Sequence, residues 1–199
     1  MADHAAAIRA LEAGRAIIMP TDTVYGLAVM PGIPGAVDEL FRIKGRPADK
    51  PIPLLAPTAR GLAGVATFND RARLLAERFW PGPLTIVLPR APGFTVALGP
   101  PGATGVGVRV PAFEPALELL GLAGVLAVTS ANRSGEAPAT TVAEARAAFD
   151  SEVEAYIDGG ICSGQPSSVV SLLNGAEMLR EGPVTMESVV ELLGSRAWS

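Results

Sequence analysis

Glycine and proline interrupt this chain so often, 22 and 18 times in 199 residues, that its apolar residues fall in short runs. Such runs suit buried strands and short helices layered in an α/β domain. They leave no unbroken stretch of the ~18 or more apolar residues that a membrane span needs. Core material is not scarce, since 49% of the residues are hydrophobic and the mean hydropathy is +0.34. Disorder is therefore excluded, and a chain of this length can bury a full core.

Read in order, Asp3 is placed to cap a helix that buries Ile8 and Leu11 and ends at Gly14. Ala16 to Met19 and Val24 to Val29 read as strands, and Pro34 opens a helix with Val37, Leu40 and Phe41 inward, stopped by Gly45. Ile52 to Leu55 is a strand that Pro53 assigns to an edge or a bulge. Asn69 caps a helix burying Leu74, Leu75 and Phe79, broken by Trp80-Pro81-Gly82-Pro83 before the strand Leu84 to Leu88. A long Gly/Pro-rich loop, Pro89 to Gly105, leads to the strand Val106 to Val110, a helix Pro115 to Leu120 and the strand Val125 to Thr129. Thr141 and Glu144 form a capping box for a helix to Phe149, and Tyr156 to Asp158 is a further strand. Ser168 to Leu173 and Glu177 to Arg180 flank Asn174-Gly175, the sequence of a type I′ hairpin, and Thr185 begins a last helix through Leu193. With no internal repeat and no linker, residues 1–199 are expected to form one domain around a mixed sheet.

Charge narrows the chemistry. A formal charge of −4 and a pI near 5.1 give no drive towards nonspecific nucleic-acid binding, which needs many cations on one face. The lone histidine, His4, sits in the first turn of the first helix, so Ser-His-Asp and Cys-His nucleophile systems and a His-rich zinc site are excluded. No metal site of the chain's own is expected. Cys162 stands alone and cannot pair within the chain, and MADHAAAIRALEAG lacks the basic and apolar regions of a secretory signal. A cytoplasmic protein without membrane contact is the expectation.

Chemistry-bearing residues concentrate in Pro20 to Leu55. Thr21 and Thr23 flank Asp22 and share one face of an extended chain, with Tyr25 nearby; they are equally ordinary strand threonines. Asp22 and Tyr25 can be read as an acid/base pair. Lys44, Arg46 and Lys50 either balance a helix C-terminus or, held by Pro47, Pro51 and Pro53, bind an anion. Arg109 is a charge inside an apolar strand. Ser130 and Asn132 follow a buried strand, where α/β sheets bind ligands, and loop capping is the competing account. No Walker loop or Gly-x-Gly-x-x-Gly turn is present. The residues alone lead to an α/β domain with a cation-bearing pocket for a nucleotide or a phosphorylated metabolite.

The segments PTDTVYGL, KGRPADKP, PGPLTIVL, GVRVP, TSANRSGEAP, SSVVSL and LREG, in that order, resemble the YrdC/Sua5/TsaC family. The resemblance runs from about Ala16 to Val184 and implies the short form, without the extra C-terminal domain. It implies a twisted α/β fold with an open, positively lined cavity. It also implies synthesis of threonylcarbamoyl-AMP from L-threonine, bicarbonate and ATP, with release of pyrophosphate. Mg²⁺ would accompany the ATP, and the product would pass to the tRNA threonylcarbamoyltransferase machinery for N6-threonylcarbamoyladenosine at position 37, with tRNA itself bound weakly or not at all. Carried over, Thr23, Arg109 and Ser168 would hold threonine. Lys44, Arg46, Lys50, Ser130, Asn132 and Arg180 would hold ATP, with Lys44 and Arg46 the catalytic cations. One position departs: many relatives carry a histidine where this chain has Leu55 or a neighbour. The alternatives are a nonenzymatic RNA-binding protein, disfavoured by the acidic pI and 5% aromatic content, and a carbamoyl-transfer relative of enzyme maturation.

Overall fold

Nine short strands join in one mixed sheet, of order β7-β1-β2-β6-β3-β5-β4-β8-β9, in the computed structural model, which describes residues 4–47 and 49–194. The strands are β1 (Ile17–Met19), β2 (Gly26–Val29), β3 (Leu54–Leu55), β4 (Leu84–Pro89), β5 (Gly105–Arg109), β6 (Leu126–Ser130), β7 (Ala155–Tyr156), β8 (Ser168–Ser171) and β9 (Glu177–Arg180). Pairing is antiparallel except between β1 and β7, β3 and β5, and β4 and β8. Six helices flank it: α1 (His4–Glu12), α2 (Ala36–Lys44), α3 (Asp70–Phe79), α4 (Glu114–Ala123), α5 (Val142–Phe149) and α6 (Met186–Leu193). Among the described residues, no helix is long and apolar enough to cross a membrane.

The alternation of side chains along the strands decides what each face meets. Leu84, Ile86 and Leu88 of β4, with Val106 and Val108 of β5, pack with Leu40 of α2, Leu75 of α3, Phe149 of α5 and Val189 of α6 in the main core. On the opposite face, Ile17, Met19, Ala28, Leu126 and Val128 pack with Leu11 of α1 and Leu119 of α4. That second layer covers β1, β2 and β6 and stops short of β4, β5 and β8. The face carrying Thr85, Val87, Gly105, Gly107 and Val169 therefore borders a cavity instead of a helix.

Several expectations need correction. The strand at Leu54–Leu55 is not an edge: it lies between β6 and β5, and Pro53, just before it, still accepts a bond from the Val128 N–H through its carbonyl. α2 starts at Ala36, beyond Pro34, with Gly45 ending it at φ 62. Leu74 is 44% exposed, because α3 turns Ala72, Leu75 and Ala76 inward. α4 runs on to Ala123, three residues past the expected stop. β8 and β9 pair antiparallel as expected, but Asn174 does not take the positive φ that a type I′ turn demands at both central residues. The connection is the longer segment 172–176, and a register shift falls between Val169 and Val170. Asp3 lies outside the described residues.

The capping box of α5 is present: Thr141 Oγ1 accepts from the Glu144 N–H at 3.2 Å, and Glu144 returns to the Thr141 N–H at 3.3 Å. Thr141→Ala is expected to lose about 1 kcal/mol, or about 2–4 °C of melting temperature, readable by differential scanning calorimetry.

Candidate active site

The cavity has a volume of about 670 Å³, and its lining draws on both ends of the chain, from Thr21 to Arg180. Its cations are Arg46, Arg109 and Arg180, and among the described lining residues the one carboxylate is Glu136.

At one wall, Thr21, Thr23 and Arg109 are interlocked. Thr21 and Thr23 do share a face, their Oγ1 atoms 3.0 Å apart, but a turn brings them together and not an extended strand. The Thr21 hydroxyl donates to the Val24 carbonyl at 2.7 Å and accepts from the Thr23 and Val24 N–H groups. Arg109, at the end of β5, donates from Nε to the Gly82 carbonyl at 2.9 Å, from Nη1 to Thr23 Oγ1 at 3.1 Å and from Nη2 to Asp22 Oδ1 at 2.5 Å. A guanidinium has five N–H groups, and these bonds use three of them. Burial pushes the Arg109 pKa down, Asp22 opposes that, and Arg180 adds to it.

Asp22 is thus the counter-ion of Arg109 and not an acid/base partner of Tyr25. The Tyr25 hydroxyl donates to the Gly160 carbonyl at 2.8 Å, accepts from the Gly159 N–H at 3.0 Å and lies 3.3 Å from Asp158 Oδ1. Burial raises its pKa, which removes it further from proton transfer near neutrality.

Elsewhere in the lining, Arg46 is tied by its backbone neighbours, Nε to the Lys50 carbonyl at 2.9 Å and Nη2 to the Pro51 carbonyl at 3.0 Å. Its pKa is lowered by burial and then by Arg180. Arg180 reaches in from the edge strand β9, donating from Nε to the Ser167 carbonyl at 2.9 Å and from Nη2 to Ser167 Oγ at 3.2 Å. Burial lowers all three guanidiniums, and the Arg180 charge lowers Arg46 and Arg109 further, which marks a partly desolvated cluster of positive charge that an anion would relieve.

Ser130 and Asn132 line the cavity together with Thr23, Arg46, Arg109 and Arg180. Three expected site residues do not. Lys44 is buried and its ammonium bonds to the 130–132 loop. Lys50 is exposed and outside the lining, contributing its carbonyl to Arg46. Ser168 is fully buried on the far side of β8, where its hydroxyl donates to the Val184 carbonyl at 2.6 Å and accepts from the Gly182 and Val184 N–H groups at 2.9 Å. A Cβ at Gly182 would stand 2.4 Å from the Pro166 carbonyl oxygen, so only glycine allows this approach.

The strand's period of two explains the misplacement. Ser167, Val169 and Ser171 line the cavity, one residue out of step with Ser168. Ser167 is the residue that sequence reasoning missed: it joins Thr85, Oγ to Oγ1 at 3.0 Å, to Arg180. The next residue of each parity gave no signal, since Val169 on the cavity side is as apolar as Val170 in the core. Ser168→Ala is expected to destabilise by about 1–3 kcal/mol, since it strips two buried N–H groups of their acceptor. Ser167→Ala should instead weaken ligand binding with little change in melting temperature. Thermal melts of the two variants with and without L-threonine separate these effects.

The departing position is Leu55 or a neighbour, and Leu55 itself is buried and lines the cavity. Among the described residues no group of three or more His, Cys, Asp or Glu gathers to hold a metal ion.

The Sua5/YciO/YrdC family model, described as "Telomere recombination", matches residues 9–182. A protein of Mycobacterium tuberculosis is 39% identical over 196 residues, covering 97% of this chain and 90% of that one. The threonylcarbamoyl-AMP synthase of Pyrococcus abyssi is 37% identical over 186 residues, 91% of this chain and 54% of its own length. A solved structure of P. abyssi Sua5 complexed with L-threonine matches with a TM-score of 0.87 at 35% identity, covering 94% of this chain and 56% of that one. This chain therefore spans a little over half of the Pyrococcus proteins and nearly all of the mycobacterial one.

Proposed function

The chain belongs to the Sua5/YciO/YrdC family, and on that footing we propose that it is a threonylcarbamoyl-AMP synthase, condensing L-threonine, bicarbonate or CO₂, and ATP with release of pyrophosphate. The observation that carries the proposal is that Thr23, Arg46, Arg109 and Arg180 line a single cavity.

The threonine amine, having lost its ammonium proton to solvent, adds to CO₂ and releases a second proton to water to form a carbamate; from bicarbonate, water leaves in place of that second proton. The carbamate oxygen attacks the α-phosphorus of ATP, a mixed anhydride with AMP forms, and the bond to pyrophosphate breaks. Such a nucleophile arrives already anionic, so the protein's work is alignment and charge neutralisation, not proton abstraction. That suits a cavity without histidine. Arg109, fixed by Gly82, Thr23 and Asp22, pairs the threonine carboxylate. Arg46 and Arg180 neutralise charge building on the pyrophosphate. Ser130 and Asn132 contact the nucleotide, and Ser167 takes the place assigned to Ser168 on the threonine side.

Mg²⁺ keeps several waters and binds through phosphates plus one or two carboxylates, which fits a cavity with Glu136 as its described carboxylate and no cage of protein ligands. When bound, it neutralises phosphate charge. The labile product then passes to the tRNA threonylcarbamoyltransferase machinery in the cytoplasm.

The test is product formation: mass spectrometry with isotope-labelled bicarbonate should show threonylcarbamoyl-AMP carrying the label, with pyrophosphate appearing only when threonine, bicarbonate and ATP are all present. Pyrophosphate release indifferent to threonine would refute the proposal. Ligand at about 100 times its dissociation constant should add about 2.7 kcal/mol of stability.

A further inference from the structure

Lys44 is the last residue of α2, and its side chain is only 2% exposed. Its Nζ donates to the Ser130 carbonyl at 2.6 Å, to Asn132 Oδ1 at 2.6 Å and, at 3.2 Å, to Ser130 Oγ. An ammonium has three donors, so these partners satisfy it. The same junction is tied by backbone: the Ser134 N–H donates to the Lys44 carbonyl at 3.0 Å, and the Arg133 guanidinium to the Ile43 carbonyl. Asn132 completes the loop from within, its Nδ2 donating to the Arg133 and Glu136 carbonyls at 2.8 Å. Ser130, Asn132 and Glu136 all border the cavity, and Lys44 does not.

From this geometry we infer that Lys44 is a positioning residue: it anchors the loop 130–136 to the end of α2, so that Ser130 and Asn132 face the cavity, and it makes no contact with phosphate. Arg46, two residues on, is left as the cation of this segment that faces the ligand. The effect on turnover rests on the proposed function, whereas the anchoring itself does not.

The anchor also depends on protonation. A neutral amine keeps two donors and cannot serve three acceptors. Burial, and then the Arg46 charge, lower the Lys44 pKa to about 7, while Glu136 raises it. The tether is therefore complete below about pH 7 and loosens as pH rises through that value.

The experiment pairs amide hydrogen exchange with calorimetric titration of inorganic pyrophosphate, on wild type, Lys44→Met, Lys44→Arg and Arg46→Met. Protection factors of the 131–136 amides should fall about tenfold in Lys44→Met, the scale of losing hydrogen bonds to a charged donor. In wild type they should decline between about pH 6 and about pH 8, around the lowered pKa; in Lys44→Met that decline should vanish. Lys44→Arg, which stays charged, should restore part of the protection without the pH dependence. Pyrophosphate affinity should stay within about twofold in Lys44→Met and drop about tenfold or more in Arg46→Met. Unchanged loop protection in Lys44→Met, or a loss of pyrophosphate affinity as large as that of Arg46→Met, overturns the inference. Should Lys44→Met fail to fold, wild-type protection without an inflection across that pH range does the same. If wild type binds no pyrophosphate, the proposed function falls, and the exchange data still decide the anchor.

Discussion

Arg109→Leu is expected to destabilise the protein by about 3–5 kcal/mol, because it leaves Asp22 as a charge with no partner at the edge of the core. Asp22 pairs with Arg109 at 2.5 Å, and the two side chains are only 13% and 6% exposed. The substitution also frees the Gly82 carbonyl and the Thr23 hydroxyl from their donor. For a chain of this size the melting temperature should fall by about 6–20 °C. The double variant Asp22→Asn/Arg109→Leu should recover part of that loss, since removing both ions is often close to neutral. Neither variant should respond to threonine. A melting temperature within about 2 °C of wild type for the single variant would mean that Asp22 is solvated and the pair contributes little.

Arg46→Ala is the second large effect, and it lies in rate, not stability. Removing a donor aimed at developing charge typically costs about 2.7–4 kcal/mol of barrier, about 10²–10³ in kcat. Arg46 is only half-buried, and the Lys50 and Pro51 carbonyls it caps lie in an exposed segment where water replaces it. Melting temperature should thus stay near wild type while pyrophosphate release collapses. Unchanged release from the folded variant would remove Arg46 from the reaction.

These two arginines show how unevenly the fold and site could be read from the chain. Element positions followed from local chemistry: the Asn69 cap, the Thr141/Glu144 box and the Gly45 stop all act over a few residues and are present. Sheet order did not, because the neighbours of Leu54–Leu55 are set by long-range pairing to β5 and β6, which no local pattern encodes. Thr23, Arg46, Arg109, Ser130, Asn132 and Arg180 do share one cavity. Lys44 and Ser168 carried the same kinds of donor, yet their direction depends on which turn or parity the backbone presents. Ser167 was hidden by its neighbour: two adjacent serines look alike until the strand decides which one faces out.

The placement of Arg180 on β9, the last strand of the sheet, has a consequence for how occupancy and breathing are linked. Opening of the terminal hairpin would carry one guanidinium away and dismantle the pocket. A ligand gripped from Thr23 at one end of the chain to Arg180 near the other therefore acts as a clasp, suppressing fraying at a margin that borders the cavity through Leu179 and Arg180.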